Sequence, residues 1–572
     1  MNQRLSLTTK AARALLMSRV RQSGTAPELL VQQALRNMGF PFQVKAKNLP
    51  GTPDIVNQTL KWAIFVHGCF WHAHNCSLWK IPKTNSEFWK EKFSDNKKRD
   101  RKKSAALRTQ GYSVLTLWQC ELKDQDETRK KLLRFLPKSN GNYSGNGHLV
   151  QIPEPQPRST SAGPETYKYL KGIKQVSRSI VKTNGTEFVS RLRVPAGVSL
   201  RQDARSIFDQ AFLQSPDGVS HKPSRGPVRA VDLFCGCGGL SLGAREASTA
   251  IGRRFESLLA VDQDQASLQV FEDNFTPSWT YDSDISQLLD GDVGQRLQPS
   301  EKELVQLFSS VDLLLAGPPC QGHSALNNHT RGRDGRNKLY EKVARFVEIT
   351  GPEHILVENV PPVIHGYGRA LDKTAEQLVS FGYKVDAGIV DLAELGVPQR
   401  RKRHVLIASH SRSVSIEDVV NKHRVEKPRS VRWAIADLSR KRGSGIFDAP
   451  SILSRANTNR INYLFRYGLY NLPDHRRPIC HQRAHSYKSM YGRLSYDELA
   501  QTITSGFGSP GQGRFIHPTR PRALTPHEAA RLQFFPDSFD FSSVELRTAL
   551  ANMIGNAVPM KLSYAFATEL LA

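Results

Sequence analysis

The stretch Val311-Asp312-Leu313-Leu314-Leu315-Ala316-Gly317-Pro318-Pro319-Cys320-Gln321 is an apolar run, broken only by Asp312, that stops on a glycine, two prolines and a cysteine. The run reads as a buried strand. The prolines fix the backbone and remove two donors, so the Cys320 thiol sits on a rigid loop just past that strand. A thiol held this way is a candidate nucleophile. The other reading of such a residue is a small buried core cysteine. Short apolar runs recur on either side, at 230–234, 258–261, 355–357 and 404–408, with helix-like stretches between them. That alternation predicts an α/β fold with a doubly wound sheet.

Upstream of the cysteine stands Asp232-Leu233-Phe234-Cys235-Gly236-Cys237-Gly238-Gly239; downstream stand Glu358-Asn359-Val360 and Gly555-Asn556-Ala557-Val558-Pro559. A strand that ends at Phe234 and runs into Gly236, Gly238 and Gly239 makes a tight turn that lets a ligand approach the backbone. Asp262 ends the next strand, where an acid can accept bonds from ribose hydroxyls or simply serve as a turn residue. In this order the four motifs resemble the signature of DNA cytosine-5 methyltransferases, and the resemblance covers residues 228–572. It implies a Rossmann-like domain that binds S-adenosylmethionine. Phe234, the three glycines, Asp262, Asp284 and Ile285 would surround the adenosyl group, with Pro319 and Asn556 at the pocket edge. It also implies that Cys320 attacks carbon 6 of cytosine while Glu358 serves ring nitrogen 3. Gln399, Arg401 and Arg403 match the family's Gln-x-Arg-x-Arg element. The resemblance places Gln399 at the DNA and has the arginines hold the base and lower the thiol pKa; the alternative is a plain phosphate-binding cluster. The target base lies inside a duplex, so it must be flipped out.

A second constellation lies near the start. Leu49-Pro50-Gly51-Thr52-Pro53-Asp54-Ile55-Val56 puts an acid at the head of a strand after a Pro-Gly turn. Phe65-Val66-His67-Gly68-Cys69-Phe70-Trp71-His72-Ala73-His74-Asn75-Cys76 follows. These segments closely resemble the very-short-patch repair (Vsr) endonucleases, which nick DNA beside a T:G mismatch. The resemblance implies a restriction-endonuclease-like α/β domain. Asp54 and the Val66 carbonyl would hold Mg²⁺, His72 would be the general base, and His67 would assist at the scissile phosphate. Cys69, His74, Cys76 and Cys120 would bind structural Zn²⁺, for which three cysteines and a histidine are a proper ligand set. Phe70 and Trp71, with Trp89, would wedge beside the mismatch. Glu28 is either an active-site acid or the Glu of a helix capping box. Lys97, Lys98, Arg99, Arg101, Lys102 and Lys103 suit phosphates, or form a solvated basic helix face.

Composition agrees with a polyanionic partner. Among 572 residues, 80 are basic and 53 acidic, a formal charge of +27. That excess points to nucleic acid, which the two resemblances imply is double-stranded DNA. Seven cysteines in such a length do not make a disulfide scaffold and fit a reducing compartment. No apolar run reaches the ~18 residues of a membrane span. The expectation is a monomeric bacterial cytoplasmic protein associated with the nucleoid, with mismatch-repair proteins as further partners. The expected layout is an endonuclease domain at 1–137 and a linker with a small helical connector at 138–227. The catalytic methyltransferase domain follows at 228–408, a target-recognition domain at 409–520, and the return of the chain at 521–572. Two alternatives remain for the N-terminal half: a restriction nuclease that cuts unmethylated DNA, and a DNA-binding module without catalysis.

Overall fold

The computed structural model describes residues 26–136, 165–319 and 339–572, apart from positions 38–39, 41, 45, 47–48, 70–73, 75, 77–85, 124, 183–184, 220–224, 366–369, 441–444, 480–481 and 483–488. The chain divides into two compact units, Met1–Ile152 and Pro153–Ala572.

In the first unit, strands β1 (Gln43–Val44), β2 (Ile55–Asn57), β3 (Trp62–His67) and β4 (Ser113–Trp118) form one sheet in that order. β3 pairs antiparallel with β2 and parallel with β4. All six residues of β3 are buried, because helices cover both faces. Trp62, Ile64 and Val66 pack against Val31 and Leu35 of α1 (Ala26–Asn37) and Leu132 of α3 (Gln125–Phe135). Ala63 and Phe65, pointing the other way, pack against Leu107 of the long basic helix α2 (Ser86–Thr109). The two-residue period of a strand makes both packings possible at once. A side chain at Gly51, which has φ +77°, would run into Lys103 at 2.6 Å, so the Pro-Gly turn before Asp54 lies against α2.

The second unit is built on a seven-stranded sheet. Its strands are β8 (Arg225–Leu233), β9 (Arg253–Val261), β10 (Trp279–Tyr281), β11 (Leu313–Ala316), β12 (His354–Asn359), β13 (Lys384–Asp391) and β15 (Lys402–Ser409). The order is β10-β9-β8-β11-β12-β15-β13. The first five run parallel and β15 is antiparallel to both of its neighbours. The chain winds outward from β8 in one direction and from β11 in the other. The ends of these two strands therefore bound the crevice where ligands bind in such sheets. A short pair, β14 (Gln399–Arg400) with β16 (Ala500–Gln501), ties the region after β15 back to the sheet.

Residues 165–193 overturn one expectation. The helical connector expected there is instead a three-stranded antiparallel sheet of β5 (Glu165–Leu170), β6 (Gln175–Val181) and β7 (Glu187–Arg193). The spacing of Tyr169, Ile173, Val176 and Ile180, which read alone suggests a helix, is a coincidence of turns and strands. The second part of the segment is helical: α4 (Ala204–Gln214) begins at Asp203, whose side chain accepts from the Ser206 N–H at 2.8 Å.

The helix that follows β8, α5 (Gly239–Ala250), lies along the last helix, α10 (Met560–Leu571). The two touch backbone to backbone. A Cβ at Gly243 would fall 2.1 Å from the Met560 carbonyl oxygen and 2.7 Å from the Tyr564 nitrogen. No described helix is long and apolar enough to cross a membrane. Gly243→Ala should separate these helices and destabilise the second unit by about 3 kcal/mol, the upper end for an overpacked site because backbone cannot yield. Urea unfolding of the chain measures it; an unchanged midpoint for that unit would refute the close packing.

Candidate active sites and metal centre

Phe234 leaves β8 in the left-handed region, at φ +62°, and Gly236 follows at +53°. A Cβ on Gly236 would meet nothing within 4 Å, so the loop opens there and has room for a ligand against its backbone. Asp262, just past β9, accepts the Gly236 N–H at 2.8 Å and the Asp264 N–H at 2.9 Å, one on each carboxylate oxygen. Each oxygen keeps a lone pair for a further donor. Burial raises the Asp262 pKa, and these amides oppose it. Asp284 caps the short helix Ile285–Leu288 by accepting from the Ser286 N–H at 2.8 Å, and Ile285 is buried in the core. From the far end of the chain, the Val558 carbonyl lies 2.4 Å from where a Gly239 Cβ would be. Asn556, exposed at the end of helix Arg547–Asn556, belongs to the same loop.

On the other side of the crevice, the Asn359 side-chain amide donates to the Pro318 carbonyl at 2.9 Å. The end of β12 is thereby fastened to the loop that follows β11. Cys320 lies outside the described residues, while Pro318 and Pro319 fix the approach to it. Glu358, one residue before Asn359, is buried and pairs with Arg403 at 2.6 Å. Burial raises the Glu358 pKa; the Arg403 and Arg401 charges pull it back. A carboxyl balanced in this way can hold or release a proton beside a bound base.

The three residues of the Gln-x-Arg-x-Arg element separate. Only Arg403 reaches Glu358 directly. Arg401 is 2% exposed. Its guanidinium donates to the carbonyls of Ile503 (2.8 Å) and Ala557 (3.0 Å), with longer bonds to Gly555. It joins the region just after β16 to the Gly-Asn-Ala-Val loop. Gln399, expected at the DNA, is completely buried. Its amide nitrogen donates to the Leu532 carbonyl and to Gln533, and its oxygen accepts the Ile503 N–H at 3.0 Å. The reason is local: two loops meet there, and their backbone groups need a side-chain amide to satisfy them.

In the first unit, Asp54 precedes β2 and accepts the Val66 N–H on Oδ2 at 2.8 Å. A hard oxygen donor is thus set beside the main chain of β3, where His67 follows, buried and edge-on to Trp118 at 5.3 Å. Glu28 is also buried, in the first turn of α1. His72, Phe70 and Trp71 lie outside the described residues; Trp89 falls within α2, its side chain outside them.

Cys69, His74, Cys76 and Cys120 converge, with donor atoms all within 4.8 Å of one another. His74 Nδ1 stands 3.7 Å from the Cys69 sulfur and 3.4 Å from the Cys120 sulfur. A tetrahedral ion with Zn–S near 2.3 Å and Zn–N near 2.0 Å requires such pairs at roughly 3.6 Å, so the set fits. Burial pushes the Cys69 thiol up to about 12; a cation would reverse that. Trp118 stacks on His74 at 4.2 Å and fixes the ring. Nothing in the motifs pointed to this role; the only signal was its position two residues before Cys120.

Comparison with known proteins agrees with both constellations. Residues 228–572 match the family of C-5 cytosine-specific DNA methylases, and residues 6–78 match the DNA mismatch endonuclease Vsr family. The Type II methyltransferase M1.BsuMI of Bacillus subtilis is 40% identical over 405 residues, 70% of this chain and 94% of that protein. The Type II nicking enzyme V.XorIIP of Xanthomonas oryzae is 42% identical over 127 residues, 22% of this chain and 93% of that protein. The DNA mismatch endonuclease Vsr of Escherichia coli is 39% identical over 124 residues, 22% of this chain and 80% of that protein. The chain thus belongs to the C-5 cytosine-specific DNA methylases and carries a Vsr-type DNA mismatch endonuclease region ahead of the methylase.

Proposed function

We propose that the second unit methylates carbon 5 of cytosine within a specific double-stranded DNA sequence, and that the first nicks DNA at the T:G mismatch left when the methylated base deaminates. The observation that carries the reading is the joining of Glu358 and the Pro318-Pro319 loop across the β11–β12 ends, bonded through Asn359. Carbon 5 of cytosine is a weak nucleophile. Addition of the Cys320 thiolate to carbon 6, with Glu358 on ring nitrogen 3, turns the ring into an enamine. S-adenosylmethionine supplies the methyl group as an electrophilic carbon. Loss of the carbon 5 proton then expels the thiolate and restores the ring. Arg403 holds the Glu358 carboxylate, while Arg401 keeps the two loops around it in place. The base is flipped into this crevice, which no groove contact could reach.

In the first unit, Asp54 with the Val66 carbonyl would hold Mg²⁺, which supplies charge stabilisation at the phosphate. His72 takes the proton of the attacking water, and His67 stands at the phosphate. The four Cys and His ligands hold Zn²⁺ as a structural brace between β3 and the end of β4. Phe70, Trp71 and Trp89 enter beside the mismatch, and the basic face of α2 takes phosphates. No observation favours restriction of unmethylated DNA or a non-catalytic module over this reading.

Three outcomes test it. Arg403→Met removes a charge that lowers the Glu358 pKa, so the limb of the pH–rate profile set by Glu358 should move to higher pH; an unmoved profile would break the pairing from the reaction. A duplex carrying the methylation site should be nicked with Mg²⁺ only when T:G replaces C:G at the target, and Asp54→Ala should stop nicking without changing methylation. Equal nicking of the fully paired duplex would favour restriction instead. Elemental analysis should find one zinc per chain and its loss in Cys120→Ser, with destabilisation because binding energy in such sites is folding energy; folded, metal-free wild-type protein would contradict this.

A further inference from the structure

The segment 165–214 lies between the two enzymes, where a linker would be expected, yet it is part of the core of the second unit. Val176 and Ile180 of its sheet and Phe208 and Ala211 of α4 share one hydrophobic cluster with Leu240 of α5 and Phe566 of α10. The likeness to the Bacillus subtilis methyltransferase points the same way. It covers 70% of this chain, whereas 228–572 makes up about 60%, so it extends upstream of residue 228. A segment shared with a methyltransferase of which this chain spans 94% is not a device for joining a nuclease.

Its most unusual residue is Arg178, in the middle of β6 and 2% exposed. The guanidinium pairs with Glu246 of α5 at 2.7 Å and donates to the Tyr564 hydroxyl of α10 at 3.2 Å. Ser190 of β7 accepts another bond from it at 3.1 Å. One side chain thus grips both helices that run from the cofactor pocket. α5 starts at Gly239, in the glycine loop, and α10 starts just after Val558, whose carbonyl touches that loop. A second grip comes from α4, where Asp209 pairs with Lys561 of α10 at 2.6 Å and with Arg429. A buried charge deprived of its partner is strongly unfavourable, so these pairs resist any spreading of the two helices. The loops of Glu358 and Pro318 stand on β11 and β12 and are not part of this grip.

We infer that the 165–214 segment is a clamp of the methyltransferase, which sets its affinity for the methyl donor by holding α5 against α10, with Arg178 as the positioning residue. The inference rests on the proposed use of S-adenosylmethionine in the crevice of the second unit. It specifies which kinetic constant the clamp controls: the glycine loop and Val558 of the pocket wall lead directly into the two helices, whereas Pro318 and Glu358 stand on the strands β11 and β12.

The test is steady-state methyl transfer by the full chain, at saturating DNA and varied tritiated S-adenosylmethionine. Arg178→Met should raise the KM for the donor by about tenfold, a size usual for coupling between sites. Its kcat at saturating donor should stay within about twofold, since the transition-state contacts are untouched. Arg178→Lys should restore part of the loss. If Arg178→Met does not fold, Glu246→Gln, which keeps the shape and loses only the charge, is read in the same way. An unchanged KM in the folded variants overturns the clamp, as does a fall in kcat with KM unchanged. Failure of the wild-type chain to transfer methyl groups is a separate result and counts against the methyltransferase reading itself.

Discussion

The second unit depends on one close approach, that of the helix after the glycine loop to the last helix of the chain. Gly239 and Gly243 let the backbone at Val558 and Met560 come nearer than any side chain would permit. The approach closes the domain across more than three hundred residues of sequence. From it follow the pocket wall at Val558, the place of the Gly-Asn-Ala-Val loop, and the carbonyls that Arg401 binds. Gln533 donates to the Ile554 carbonyl at 2.6 Å and completes the same joint. Dense packing of this kind has low compressibility and transmits strain. A small displacement of either helix would be felt at the cofactor loop.

The middle of this sheet was legible because its strands are buried on both faces over most of their length and read as short apolar runs. The runs at 230–234, 258–261, 311–316, 355–357 and 404–408 all correspond to strands. The three-stranded sheet at 165–193 was not legible, and Arg178 is the reason. Val176, Arg178 and Ile180 are the buried positions of β6, but an arginine in the middle of that series hides its two-residue period. Ile173, Val176 and Ile180 then imitate a helix. The same charged residue that misled the reading is the one the clamp uses. Gln399 misled it differently: an amide in a run of arginines looks like a DNA contact, and only the meeting of two distant loops shows why it is buried.

The candidate sites were legible to the extent that their chemistry is written in consecutive residues. The cysteines and histidine of the metal centre converge as their types require, and Glu358 with Asn359 sits where the strand end puts it. The division of labour between Arg401 and Arg403 was not legible, because it depends on which carbonyls the fold brings near each guanidinium. The two units also differ in what they ask of DNA. On the proposed reading the methylase takes a cytosine out of the stack, and the nuclease takes a phosphate beside a mismatch, which is easier to unstack than a paired step. A single target sequence can serve both, since deamination of the base that one reaction methylates leaves the mismatch at which the other would nick.

The central claim is that covalent addition by Cys320, assisted by Glu358, drives the methylation. Trapping on a duplex with 5-fluorocytosine at the target position tests it directly, because fluorine at carbon 5 cannot leave as a cation and the final elimination stops. The account predicts an adduct stable to denaturant, formed in the presence of S-adenosylmethionine and mapped to the peptide that carries Cys320. No adduct from protein that methylates the ordinary duplex, or an adduct on another residue, would contradict it.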